Sequence, residues 1–313
     1  MTVPPPASEE DPGREWERLM RAGEWEAAWR INDAVLAARR GQRDWSAPRH
    51  LQAVWDGTPL RGRRVLVRCY HGLGDTLQFI RFAPMLRAIA AEVTVWAQPA
   101  LIPLLRCMGP GIGRLLPLHD GTPEAEYDVD VEVMELAHVF RVTPESVARA
   151  VPYLHVGGDA PRARGPGLAI GLVWRAGDWD PSRSVPARLL VPLAEVPGVA
   201  LHVLQRGEAA LAEWPAGLGI RAGSEDVLQA ARAMAGLDLV ISVDSMPAHL
   251  AGALGVPAWT LLGEPADWRW MDGREDTPWY PGMRLIRQPH AGDWESVAAR
   301  LLREVRQKVQ AAR

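Results

Sequence analysis

Lysine is all but missing from this chain: of 35 Lys and Arg residues, only Lys308 is a lysine. Codon bias in a GC-rich genome accounts for that. The scarcity still constrains chemistry, because any phosphate must then be held by arginine, histidine or backbone N–H groups. It also excludes a phosphate-loop ATPase, since no Gly-Lys-Ser/Thr triplet occurs. Cysteine is scarce too. Cys69 and Cys107 make neither a disulfide framework nor a metal-ligand spacing, and both fall beside apolar stretches where packing is the expected role. No apolar run approaches the roughly 18 residues of a membrane-spanning helix. Residues 1–13 have no basic n-region and no apolar h-region, so no signal peptide is expected there. Charge of one sign is also lacking: a formal net charge of −3 gives no general attraction to nucleic acid or anionic lipid. These absences describe a cytoplasmic protein without a transmembrane segment and without a nucleic-acid partner.

What is there is a globular composition, 48% hydrophobic and 23% charged, over 313 residues. That length suggests about two domains. Residues 1–13 read as a disordered lead. Helical periodicity over Glu15–Arg21 and Trp25–Arg39, broken at Ala22-Gly23, predicts a helical hairpin. Gly23-Glu24-Trp25-Glu26-Ala27-Ala28-Trp29 is the kind of segment found in tetratricopeptide helices, but a single copy is too short for a solenoid. It is expected to pack on the domain that follows.

From Arg61 onward the pattern alternates. Strands are expected at 63–69 and 92–97, helices at 76–90 and 99–107, short extended pieces near 114–117 and 127–133, and a helix near 144–150. Gly157–Gly167 is the clearest linker. The plan then repeats: strands at 168–174, 200–205, 239–243 and 257–262, helices at 187–195, 225–236 and 246–254, and a last amphipathic helix at 293–310. Alternation of this kind predicts an α/β fold with parallel sheets. The expected division is 1–50 for the tail and hairpin, 51–157 and 165–292 for two Rossmann-like domains, and 293–313 for a closing helix.

Two strand–turn–helix elements stand out. The first is Val65–Cys69 followed by His71-Gly72-Leu73-Gly74-Asp75; the second is Leu239–Val243 followed by Asp244-Ser245-Met246-Pro247-Ala248-His249. Such turns aim helix-start N–H groups at an anion. In the first, Leu77 stands where a dinucleotide fingerprint needs its third glycine. Gly72 and Gly74 instead let backbone approach a ligand, and Asp75 serves as an N-cap or as a functional carboxylate at the sheet's mouth. In the second, His249 is a satisfied interface histidine or part of a helix start that receives a diphosphate. Arg175 and Arg183, in the loop after strand 168–174, suit phosphate pairing or plain surface charge. Asp128, Asp130 and Glu132 share one strand face. A solvated edge is expected there, and no metal site. The stretch Glu264–Pro281, dense in Trp and Pro, reads as a long ordered loop that covers core or meets a ligand.

In order along the chain, Trp55-Asp56-Gly57, Gly72-Leu73-Gly74-Asp75-Thr76-Leu77-Gln78-Phe79, Arg183-Ser184-Val185-Pro186, Asp238–Ser245, Ala248–Gly255, Asp267-Trp268-Arg269-Trp270 and Thr277-Pro278-Trp279-Tyr280-Pro281 resemble glycosyltransferase family 9. They are most similar to the branch often fused to tetratricopeptide repeats and related to the lipopolysaccharide heptosyltransferases. The resemblance covers about Trp55 to Trp294. It implies a GT-B fold, two Rossmann-like domains facing across a cleft, and inverting transfer without a metal or other cofactor. The donor it implies is a nucleoside-diphosphate sugar, ADP-heptose-like by preference, and the acceptor a hydroxyl on a glycan, protein or small molecule, with peripheral membrane contact allowed. Carried over, Asp75 is the general base, and Asp244, Ser245 and the following N–H groups from Met246 hold the donor. Arg183 stands where the heptosyltransferases use a lysine on phosphate. Gln205 or Glu208 falls where the nucleoside is held, and the closing helix returns to the first domain. His71 departs from the glutamine that relatives commonly carry before the turn and leaves the acceptor open. An epimerase or hydrolase of nucleotide sugars, and a catalytically degenerate binding or assembly module, are the competing readings.

Overall fold

In the computed structural model of the chain, the described residues are 11–39, 41–43, 45–148, 151–157, 167–177 and 179–311. Most of the expected linker and of the N-terminal lead lies outside them. The hairpin forms from α1 (Pro12–Ala22) and α2 (Trp25–Arg39). α1 starts three residues before its apolar periodicity does. Asp11 caps it by accepting from Gly13 N at 3.0 Å, with Pro12 in the first turn, so residues 11–13 are helix start rather than lead. It ends at Gly23, whose φ of 82° is the left-handed stop that glycine supplies cheaply.

The first half builds a four-stranded parallel sheet. Its elements are β1 (Arg64–Arg68), α3 (Leu73–Phe79), α4 (Ala83–Ile89), β2 (Glu92–Ala97), α5 (Ile102–Leu105), β3 (Arg114–Pro117), β4 (Val129–Glu132), α6 (Leu136–Val139) and α7 (Pro144–Val147). The strand order is β3-β2-β1-β4, and in register Val67 faces Val95 on one side and Val131 on the other. Val65, Leu66 and Val67 are all buried, as a strand covered on both faces requires.

β4 is an edge strand, but its acidic face is not solvated. Asp130 and Glu132 are 1% and 2% exposed. Asp130 accepts from Arg68 Nε at 2.7 Å and from Arg43, while Arg43 also reaches Asp56 at 3.0 Å. The segment before β1 therefore folds over this edge and its arginine neutralises the acid. Only Asp128 stays outside, paired with Arg64 at 2.8 Å.

The second half is a six-stranded parallel sheet in the order β10-β9-β8-β5-β6-β7. It comprises β5 (Leu168–Val173), β6 (Val199–Val203), α8 (Glu208–Ala212), β7 (Ile220–Arg221), α9 (Val227–Ala235), β8 (Leu239–Val243), α10 (Met246–Leu254), β9 (Ala258–Leu262), β10 (Met283–Arg287) and α11 (Trp294–Ala311). The helix expected over 187–195 is two short 3-10 turns, Ala187–Leu189 and Val191–Glu195; Pro192 withholds a backbone donor there.

One apolar cluster runs from the hairpin through the first sheet to one face of the second, joining Trp25, Val67, Val240 and Leu250. A second cluster fills the far face of the second sheet under α11, with Leu301 and Val305 against Ile170 and Ile241. α11 thus stays on its own half instead of returning to the first domain. The hairpin makes the return contact. Trp16 and Trp25 meet Trp268 and Trp279 at 5.0 and 4.9 Å, while Trp29 Nε1 donates to Val142 O at 2.8 Å. The two halves also join through α3 and α10, and Tyr153 and Leu154 both donate to Ala253 O at 3.1 Å.

Candidate active site

The loops at the C-terminal ends of β1, β5, β6 and β8 open onto one cavity of about 1020 Å³ between the halves, where ligands of open α/β sheets gather. His71, Gly72, Gly74 and Asp75 line it from the first half. Arg175, Arg183 and Gln205, then Asp244, Ser245, Met246 and His249, line it from the second. Glu208 does not: it is exposed at the start of α8, and Gly207 and Glu225 line the wall there instead.

Asp75 is not an N-cap. α3 starts at Leu73, with Gly72 as the capping position, and Asp75 in the first turn reaches back so that Oδ2 accepts from Gly72 N at 2.9 Å. Its Oδ1 accepts from Arg269 Nη2. Arg269 comes from the Trp-rich loop of the second half and is held on every side. Nε donates to Gln78 Oε1 and Nη1 to Asp267 Oδ1, both at 2.9 Å, and the guanidinium lies 4.8 Å over the Trp268 ring. The carboxylate is thus fixed by its own helix and by a cation from the opposite half, and its remaining lone pairs are free to accept.

Behind this turn lies Glu132. Tyr70 N and Met134 N donate to it at 3.2 and 2.6 Å, and burial pushes its pKa up to about 8. His71 Nε2 stands 4.0 Å from Glu132 Oε2. Burial lowers the His71 pKa, while the neighbouring Asp75 charge opposes that shift.

Gly74 is required by close approach. A Cβ there would meet His249 Cδ2 at 2.9 Å and Met246 Cα at 3.4 Å. His249 packs at the interface of the halves and also lines the cavity. Its Nδ1 pairs with Tyr280 OH at 3.0 Å, its ring stacks on Trp270 at 5.4 Å, and burial drives its pKa down to about 3.

α10 begins differently from α3. Ser245 occupies the capping position, but its Oγ donates to Val243 O at 3.2 Å and no side chain caps the helix. Of its first-turn groups, Pro247 carries no N–H and Ala248 N donates to Ser245 O at 3.0 Å, so the Met246 N–H is the donor left at the cavity wall. Asp244 is buried, and burial, with Asp267 nearby, pushes its pKa up to about 6. Arg183 Nη1 donates to Asp244 O at 3.2 Å, while the buried Arg183 Nε has no hydrogen-bond partner. Arg175 is drawn outward by Glu213 at 2.9 Å. The Gln205 amide brackets the β5 loop, since Oε1 accepts from Trp174 N and Arg175 N at 3.1 and 2.9 Å.

Arg269, Asp267, Gln78 and Glu132 were not among the expected site residues. Asp267 and Arg269 sit in a recognised motif, and an arginine inside an aromatic-rich loop was the available signal. For Glu132 there was none, because strand alternation does not say which face is covered.

Residues 205–290 match the family model described as glycosyltransferase family 9 (heptosyltransferase). Protein FlbA of Caulobacter vibrioides is 27% identical over 294 residues, an alignment covering 80% of this chain and 48% of FlbA. The chain therefore spans about half the length of that curated relative. Among solved structures, the E. coli ADP-heptose lipopolysaccharide heptosyltransferase II superposes with a TM-score of 0.59 at 16% identity, covering 80% of this chain and 99% of that one. The iron-containing dodecameric glycosyltransferase TibC from enterotoxigenic E. coli H10407 gives 0.56 at 14%, covering 81% and 77%. Among the described residues, no group of three or more His, Cys, Asp or Glu is arranged to hold a metal, and no helix is long and apolar enough to cross a membrane. The chain has the GT-B fold seen in the heptosyltransferases, and the family 9 match lies within its second half.

Proposed function

We propose that the protein is an inverting glycosyltransferase that moves a sugar from a nucleoside-diphosphate sugar to an acceptor hydroxyl. One observation carries this reading. A carboxylate fixed at the start of α3 shares a cavity with a helix start that no side chain caps and with the arginine Arg183. The first is what a general base needs and the second is what a departing diphosphate needs. The acceptor oxygen attacks the anomeric carbon as that carbon's bond to the diphosphate oxygen breaks. The hydroxyl proton passes to Asp75, and the electron pair leaves with the nucleoside diphosphate, met by the Met246 N–H and Arg183. Attack opposite the leaving group inverts the anomeric centre.

The first half, which supplies the base, is assigned to the acceptor's reacting hydroxyl and the second to the donor's nucleoside diphosphate. ADP-heptose or a close analogue is the donor, a choice supported by the substrate named for heptosyltransferase II. Transfer is metal-independent in this proposal, with Arg183 and backbone dipoles supplying the positive potential. Two free cysteines, Cys69 and Cys107, accord with a reducing, cytoplasmic setting. The α1–α2 pair is read as one tetratricopeptide-like helical hairpin.

Thermal unfolding with ADP, UDP, GDP and dTDP, with and without Mg²⁺, tests the reading. ADP at about 100 times its dissociation constant should stabilise the fold by about 2.7 kcal/mol, with or without metal. A shift only with Mg²⁺ would refute metal independence; no shift with any of the four would refute the transferase.

A further inference from the structure

The cavity's outer rim holds a feature that the proton transfer and the leaving group do not use. Trp179, on the loop after β5, is 84% exposed and still lines the cavity that contains Asp75. The ring it meets comes from the other half: His50, with centroids 6.2 Å apart and planes at 80°. That edge-to-face contact fixes the indole plane. At 6.2 Å it leaves no room for a ligand ring between the two, so the free indole face is the one turned away from His50. His50 is itself well anchored. It sits on the short turn Arg49–Leu51, and Arg49 donates to His119 O and Asp120 O at 2.8 Å each. The same guanidinium lies 5.3 Å over the Tyr70 ring, another residue of the cavity wall.

We propose that the free face of Trp179 is the platform for a pyranose ring of the acceptor, so that the acceptor is a carbohydrate, with His50 holding the platform in place. The inference rests on the transferase reading and names its second substrate. An exposed indole at a cleft mouth offers an apolar plane, while His50, Tyr70 and His71 around it offer polar atoms. A pyranose presents the complement: a patch of C–H bonds on its face and hydroxyls around its rim. A lipid acceptor would need a continuous apolar wall, and the neighbours here are His, Tyr and Arg. The nucleoside end of the donor is expected elsewhere, beside Gln205, Arg206 and Glu225 after β6 and β7.

The test is a titration of methyl pyranosides of the gluco, galacto, manno and N-acetylglucosamine series, read by ligand-observed NMR, with and without ADP. At least one should bind the wild type, with its dissociation constant raised about tenfold or more in Trp179→Ala and largely restored in Trp179→Phe. His50→Ala should weaken it by a smaller factor, and ADP affinity should be unchanged in all three. Trp179 is exposed, so equal melting temperatures check that the variants fold. Absence of pyranoside binding to the wild type, or binding indifferent to Trp179→Ala, would overturn the proposal. So would a loss of ADP affinity in Trp179→Ala, which would give the indole to the nucleobase. Failure of the transferase reading shows separately, as absence of ADP binding to the wild type.

Discussion

Two corners of this protein share one backbone plan and end in opposite electrostatic states. β1 runs into α3 and β8 runs into α10, each through a tight turn at the C-terminal edge of a parallel sheet. At the first corner the acid lies inside the helix. Asp75, 24% exposed, divides its oxygens between Gly72 N–H and Arg269. At the second the acid precedes the helix. The Asp244 side chain, 9% exposed, has Arg183 no closer than 4.0 Å to its carboxylate, and burial lifts its pKa to about 6. The start of α3 is thus closed by its own carboxylate and offers a proton acceptor. The start of α10 has no side-chain cap and offers the Met246 N–H and the positive end of its helix to an anion. In the proposed function, where the acid falls relative to the helix start separates the base from the leaving-group site.

The largest effect should come from removing the base. Asp75→Asn keeps the reach-back geometry but not the basicity, so transfer should fall by about 10²–10⁴-fold in a donor-turnover assay. The nucleotide-induced thermal shift should persist. Retained turnover would remove Asp75 from its assigned role. Arg269→Met comes next: it strips the cation shared by Asp75 and Asp267 while keeping chain length. Breaking a buried pair costs about 3–5 kcal/mol. The low end is expected in urea unfolding, because Asp75 keeps a quarter of its surface. Gly74→Ala attacks the contact between the corners. Its Cβ would press on His249 and the Met246 backbone, and overpacking of this kind costs about 1–3 kcal/mol.

The smallest effect is a pH dependence at the second corner. The folded-state pKa of Asp244 is raised above its ordinary 3.8 to about 6, so folding favours the protonated acid. Its destabilisation of the fold therefore grows as pH rises from about 4 to about 6 and is complete above that. Asp244→Asn lacks this term. Its melting temperature relative to wild type should rise across that window and level off above it. A parallel pair of curves would show that Asp244 is not buried as an acid.

The sequence was legible where local rules and tertiary packing agree. The strand at 239–243 and the helix at 246–254 form where Val/Ile continuity, Pro247 and the Gly255 stop put them. Legibility failed where a distant segment decides. Gly72-Leu73-Gly74 reads as loop, yet Gly72 caps α3 and Leu73-Gly74 opens it, held by Asp75 with Gly74 pressed against α10. Asp130 and Glu132 alternate like a wet edge, but Arg43 and Arg68 pair with Asp130 and Glu132 is buried, accepting from Tyr70 N and Met134 N, an outcome that alternation cannot encode. β10 was missed because Met283-Arg284-Leu285-Ile286-Arg287 is a short strand framed by arginines. Arg284 finds Glu275 and Glu304 only in the fold. The turn residues of the candidate site were named from the sequence, whereas Arg269 reaches Asp75 across 194 positions of chain.

A crystal structure with a non-hydrolysable ADP-sugar analogue tests the contrast between the corners most directly. The expected result has the diphosphate on the Ser245–Met246 backbone beside Arg183, with the anomeric carbon facing Asp75. A diphosphate seated on the Gly72–Gly74 turn, with Asp75 turned away from the sugar, would contradict the assignment of base and leaving-group sites.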